Sequence, residues 1–128
     1  MRRNLGLLVA FLLGVGLSTA LADRAGDSVA VDPDVHQVVL ENDHVRVLEA
    51  RAAPGWRSPM HSHPPILVVS VGSARIKFTL PDGSQPIVDL RPGQVLWLDG
   101  VEHSWELLAG NLHVIGVEVK SAQKAEAE

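Results

Sequence analysis

His61 and His63 are the residues of this 128-residue chain whose type and spacing most directly suggest chemistry. Side chains two positions apart on an extended backbone project to the same face, so His61-Ser62-His63 presents two imidazoles able to share one ion. Neutral imidazole nitrogen suits zinc, iron, copper and nickel, whereas magnesium and calcium take oxygen donors. A His-x-His pair alone is more often a solvated surface feature than a metal site. Other chemistries lack their parts. Without cysteine there is no thiolate ligand, cysteine nucleophile, disulfide or lipoprotein anchor. Without tyrosine, a glycine-rich phosphate loop or Gly-x-Ser-x-Gly, neither phosphoryl transfer nor serine hydrolysis is indicated.

The elements that must position this pair read as short strands. Val35 to Leu40 and Val45 to Ala50 are β-branched runs separated by the turn cluster Glu41-Asn42-Asp43. Ala53-Pro54-Gly55 and Ser58-Pro59 predict a loop, and Ile66 to Val71 a further strand. Arg75 to Leu80 alternates, with Ile76 and Phe78 on one face. Turns at Pro81-Asp82-Gly83-Ser84, Arg91-Pro92-Gly93 and Asp99-Gly100 bound strands at Pro86 to Leu90 and Gln94 to Leu98, and Leu112 to Lys120 is the last. Many short strands with Gly and Pro turns, and no sustained helical period, predict an all-β sandwich or barrel.

The first residues stand apart from that domain. Met1-Arg2-Arg3-Asn4 is basic, Leu5 to Leu17 is apolar, and Ala20-Leu21-Ala22 has the small-x-small form of a peptidase site. Residues 1–22 are therefore expected to be a signal peptide cleaved after Ala22, with the mature protein periplasmic or secreted. The rival, an uncleaved anchor, is disfavoured by Gly14 and Gly16 within the run. Residues 23–33 read as a flexible arm, 34–120 as the folded domain and 121–128 as a polar tail. Loss of Arg2 and Arg3 takes the formal charge from -4 to -6. So acidic a protein is not expected to bind nucleic acid, or a membrane once the signal is cleaved.

Gly55 before His61-Ser62-His63-Pro64, together with the segment from Gly93 through Trp97, Asp99 and Gly100 to His103, resembles the two motifs of the cupin superfamily. Glu41 to Val47 and Val117 to Lys120 also look like the small single-domain members, and the likeness runs from about Val38 to Lys120. It implies an RmlC-like jelly-roll β-barrel with a divalent transition metal (Fe, Mn, Zn, Ni or Cu) held by His61, His63 and His103. Two departures stand out. Leu67 falls where the first motif has a glutamate ligand, and Asp99 where the second has proline. Strand alternation puts Leu67 on the face of His63, although Pro64-Pro65 could shift the register.

Leu67, Trp105 and His113 are the expected pocket residues. His113 shares a strand face with Ile115, Val117 and Val119, and a core-edge histidine bonded to backbone is the competing reading. Trp105 stands beside His103, while Trp97 is a core filler or a pocket wall. His36 and His44 are expected near the surface, neither as a ligand. Glu118 and Glu49 are expected to be solvated or paired. Arg46, Arg51 and Arg57 precede the site, where one could orient a substrate carboxylate. The function expected is metal-dependent chemistry on a small molecule, of oxygenase or isomerase type. The alternative is a non-catalytic module binding a small ligand or metal. A homodimer through a strand edge would fit the resemblance.

Overall fold

A computed structural model describes residues 25–120. The expected signal peptide and polar tail lie outside the described residues. A one-turn helix α1 (Ser28–Val31) precedes seven strands: β1 (His36–Glu41), β2 (Val45–Ala52), β3 (Arg57–Ser70), β4 (Ala74–Thr79), β5 (Ile87–Leu90), β6 (Val95–Gly110) and β7 (Leu112–Val119). They form one antiparallel sheet in the order β1-β2-β7-β3-β6-β4-β5. The fold is all-β, as the turn spacing predicted.

The sheet curls on itself. Residues two apart on six strands face one cavity: Leu48 and Ala50, Ile66 and Val68, Ile76 and Phe78, Val88 and Leu90, Leu96 and Leu98, Leu112 and Val114. A flat sheet in this order could not bring β2 and β5 to one space. Gly116 on β7 faces the same interior, where a Cβ would lie 2.8 Å from Ile66 Cδ1. The inward side chain of β3 therefore occupies the room a larger residue on β7 would need.

Two strands run longer than the sequence suggested. The expected turn at Ala53-Pro54-Gly55 is present, but β3 begins at Arg57 and runs through Ser58-Pro59, and β6 runs on through Asp99-Gly100 to Gly110, so the second half of the expected loop and the later turn are strand. Their pairing explains why. Register is unbroken from His61↔His103 to Val69↔Val95, but both strands change inward phase at the same level. His63 and Ile66, three apart, line the cavity, as do their partners Val101 and Leu98. The change falls at Pro64-Pro65 on β3 and Asp99-Gly100 on β6, where Gly100 has φ +83°, a backbone region open to glycine at little cost. The sequence features read as chain breaks are a bend shared by a paired ribbon.

The expected flexible arm is likewise corrected over its described part. Ser62 N–H donates to the Gly26 carbonyl at 2.7 Å, and Ser62 Oγ to the Ala25 carbonyl at 3.1 Å. Asp27 caps α1 by accepting from Val29 N–H, and its carboxylate pairs with Arg46. This segment is fastened to the strand that carries the His-x-His pair.

Candidate metal centre

β3 turns His61 and His63 inward, and pairing with β6 sets His103 directly across from His61. Ring centroids are 5.0 Å apart for His61 and His63, 4.9 Å for His61 and His103, and 5.4 Å for His63 and His103. A fourth ring joins them. His36, the first residue of β1, lies 4.9 Å from His61 and 5.7 Å from His63 by centroid. One ring nitrogen from each of His36, His61 and His63 falls within a 4.8 Å set. All four rings are buried, His61 completely.

The expectation that His36 sits near the surface and is no candidate ligand is therefore wrong. Its position follows from the segment before it. The Asp32 carbonyl accepts from the backbone N–H groups of Val35 and His36 and lies 3.3 Å from His36 Nδ1. Asp32's carboxylate accepts from Ser58 Oγ at 2.6 Å and Trp56 Nε1 at 3.4 Å, tying this turn to β3. Strand propensity shows none of this, because the inward pull comes from a turn docking on a distant strand.

Three of the imidazoles have their protonation fixed from behind. Nδ1 of His61 is 2.7 Å from the Pro59 carbonyl, Nδ1 of His63 is 2.9 Å from Glu118 Oε2, and Nδ1 of His36 faces the Asp32 carbonyl. Each partner accepts, so each Nδ1 carries a proton, and on a neutral ring Nε2 is left with the lone pair. Carbonyl or carboxylate support of this kind orients metal-ligating histidines. His61 Nε2 is buried with no hydrogen-bond partner at all. Burial lowers the pKa of His61 to about 4 and that of His103 to about 3, and lowers that of His36 as well. The neighbouring imidazoles reinforce the shift. These three rings are thus neutral near pH 7, the state in which imidazole ligates.

Glu118, expected to be solvated or paired, is paired and fully buried. One oxygen accepts from His63 and the other from Arg46 Nε at 2.8 Å, and Arg46 continues to Asp27. For Asp27, burial alone would raise the pKa, but the Arg46 guanidinium holds it below the ordinary carboxylate value. The donor set fits a transition ion: a partnerless buried Nε2 on His61, neutral rings at His36 and His103 beside it, and a carboxylate one bond behind His63.

Other expected site residues divide. Trp105 lines the cavity and is buried. Leu67 does not line it; it pairs with Trp97 and Val117 on the outer face, because the bend at Pro64-Pro65 brings Ile66 and Val68 inward instead. His113 is outward too, on the face opposite Leu112 and Val114, with Nε2 2.7 Å from Glu49 Oε2. Trp97 is neither core nor pocket wall, being 53% exposed. Arg51 pairs with Glu49 and Arg57 with Glu106, and neither these nor Arg46 lines the cavity.

No protein-family model and no curated protein sequence matches the chain. Solved structures do. A cupin domain from Bordetella pertussis is 24% identical, covering 77% of this chain and 97% of its own, with a TM-score of 0.61. An RmlC-like cupin family protein from Methanocaldococcus jannaschii, with a double-stranded β-helix fold, is 15% identical over 72% of this chain and 84% of its own, with a TM-score of 0.57. The polyketide cyclase RemF of Streptomyces resistomycificus is 18% identical, covers 66% of this chain and 63% of its own, and has a TM-score of 0.51. The curled antiparallel sheet and these likenesses give the chain the fold of the cupins, a double-stranded β-helix.

Proposed function

We propose that this protein holds one divalent transition metal on His61, His63 and His103, joined by His36, and uses it on a small molecule bound in the barrel, with chemistry of oxygenase or isomerase type. The observation that carries the proposal is His61 Nε2, a buried lone pair without a partner, encircled by three more imidazoles. A buried polar atom left unsatisfied costs on the order of 1–3 kcal/mol, and a bound ion removes that cost. Such an ion supplies Lewis acidity and, if iron or copper, access to oxygen chemistry. The chain's own part is to orient the donors through Pro59, Asp32 and Glu118 and to keep water from the apolar walls around them. The polyketide cyclase with this fold supports a catalytic role for such a barrel.

A second function, capture of a small ligand without turnover, is favoured by one observation. Among the described residues lining the cavity, only histidines could move a proton. For localisation we propose export, with the mature chain beginning at Asp23. Ala25 N–H donates to Glu102 at 3.3 Å, so cleavage after Ala22 spares the contacts of the following segment.

Elemental analysis of protein purified without added metal, and again after exposure to iron, manganese, zinc, nickel or copper, tests the metal. One equivalent per chain is expected. Substoichiometric metal under every condition would remove the proposal.

A further inference from the structure

We infer that the ligand of this barrel is a small, mainly hydrocarbon molecule with a single oxygen donor at one end and no charge at the other. The polar end of this inference rests on the proposed metal; the apolar end rests on the cavity alone.

The cavity has a volume of about 340 Å³, within the range of sites that enclose small organic ligands. Its polarity is confined to one place. Among the described residues, His36, His63 and His103 are the only ones lining it with polar side-chain atoms besides the indole nitrogen of Trp105. The remaining walls are aliphatic or aromatic, with Ile76, Leu90 and Leu112 on buried strand positions and Phe78 tilted against the His103 ring at 5.0 Å between centroids. Pro86, which is exposed, and half-buried Leu80 also line the space and add no polar side-chain group.

Charge is excluded by what the nearby cations do. Arg46 is committed to Glu118 and Asp27 behind His63, while Arg51 and Arg57 pair with carboxylates away from the cavity. No lysine or arginine among the described residues lines the walls to receive a substrate carboxylate. Nor do the walls offer the hydroxyl, amide or carboxylate groups that a sugar would require. A ligand that turns a charge or several hydroxyls toward these walls, away from the histidine end, would lose its hydration against hydrocarbon with nothing to replace it. A molecule that directs one oxygen to the histidine end and hydrocarbon to the rest loses little.

Three probes separate these features. 4-Propylphenol and 3-(4-hydroxyphenyl)propanoate share the phenol donor and differ at the far end, apolar in one and anionic in the other. Methyl glucoside represents the polyhydroxylated class. Binding of each to zinc-loaded and to metal-stripped full chain is measured by calorimetry near pH 7.5, with the site located by the NMR resonances of the Trp105 indole against those of Trp56 and Trp97. The expected result is 4-propylphenol binding at least a hundredfold more tightly than the propanoate, no detectable glucoside binding, and shifts at Trp105 alone. Metal removal should weaken 4-propylphenol severalfold and leave its preference over the propanoate in place.

Equal or tighter binding of the propanoate or the glucoside to the metal-stripped chain overturns the inference, as does failure of 4-propylphenol to bind or to perturb Trp105. If instead the preference holds and zinc neither binds nor matters, the metal proposal falls while the apolar character of the ligand stands.

Discussion

The two ends of the barrel interior are built on opposite terms. At one end four histidine rings crowd together, neighbouring centroids lying 4.9 to 5.7 Å apart, and three of the rings lean on an acceptor behind them. At the other, β4, β5 and β6 present hydrocarbon with no partner for a polar group. Burying polar rings is tolerable only where their hydrogen bonds are already supplied, and here they come from three separate places: a carbonyl on β3, a turn before β1 and a carboxylate on β7. A charged or polar group is thus accommodated at one end and penalised a few residues along the same strands.

The strongest way to break this contrast is to remove its polar end. Alanine at His61, His63 or His103 should each abolish stoichiometric metal or weaken it by well over the ~100-fold limit typical of supporting residues. His36→Ala should behave in the same way, and His113→Ala should retain full affinity because its ring lies outside, against Glu49. Metal titration of the five variants near neutral pH decides it. Tight binding in His36→Ala would return that residue to a packing role.

Some of this site was readable in the chain. Spacing alone puts His61 and His63 on one face, and resemblance to a two-motif family brought in His103. His36 was not readable, since its inward position depends on Asp32 reaching Ser58 across the fold, a contact with no local signature. Glu118 was visible only as one acidic residue in an alternating strand. Its inward face became evident once β7 paired with both β2 and β3. The face of Leu67 was misjudged because alternation presumes an even strand, and β3 bends together with β6.

A smaller effect should come from loosening one support. Glu118→Gln keeps the shape but removes the charge that faces both His63 and Arg46, so metal affinity should fall roughly 10- to 100-fold with the fold intact. An unchanged affinity would mean that His63 is oriented by packing alone.

Acid probes the same end without mutation. His61, His103 and His36 have pKa values below the ordinary histidine value in the folded chain, because burial disfavours the imidazolium. Their neutral forms contribute stability fully above about pH 6.5, the unfolded value, and that contribution is lost as pH falls toward the folded values of about 4 for His61 and about 3 for His103. Metal-free protein should therefore show a falling denaturation midpoint from pH 6.5 to 5, before most carboxylates titrate. Protons compete for Nε2 in the folded chain only near the folded values, so metal should be retained through that window and leave as pH approaches about 4. A flat midpoint across that window would indicate that water reaches the rings.

The smallest expected effect is none, and it tests which face of β3 is inside. Leu67→Glu replaces the residue that stands at the glutamate position of the cupin pattern. If strand alternation held through Pro64-Pro65, the new carboxylate would lie beside His63 and tighten metal binding. In the structure Leu67 instead meets Trp97 and Val117 on the outer face, half-buried beside an exposed indole, so the carboxylate can reach water. Metal affinity should be unchanged, and stability should fall by no more than about 1–2 kcal/mol as a partly buried apolar side chain is replaced. Ile66→Glu supplies the contrast: it puts the charge on the cavity wall, where Ile66 is buried against Gly116, and should cost several kcal/mol unless the ion captures it. Tighter metal in Leu67→Glu with no change in Ile66→Glu would show that the bend shared by β3 and β6 is absent in solution, and the division of the interior into a histidine end and a hydrocarbon end would have to be redrawn.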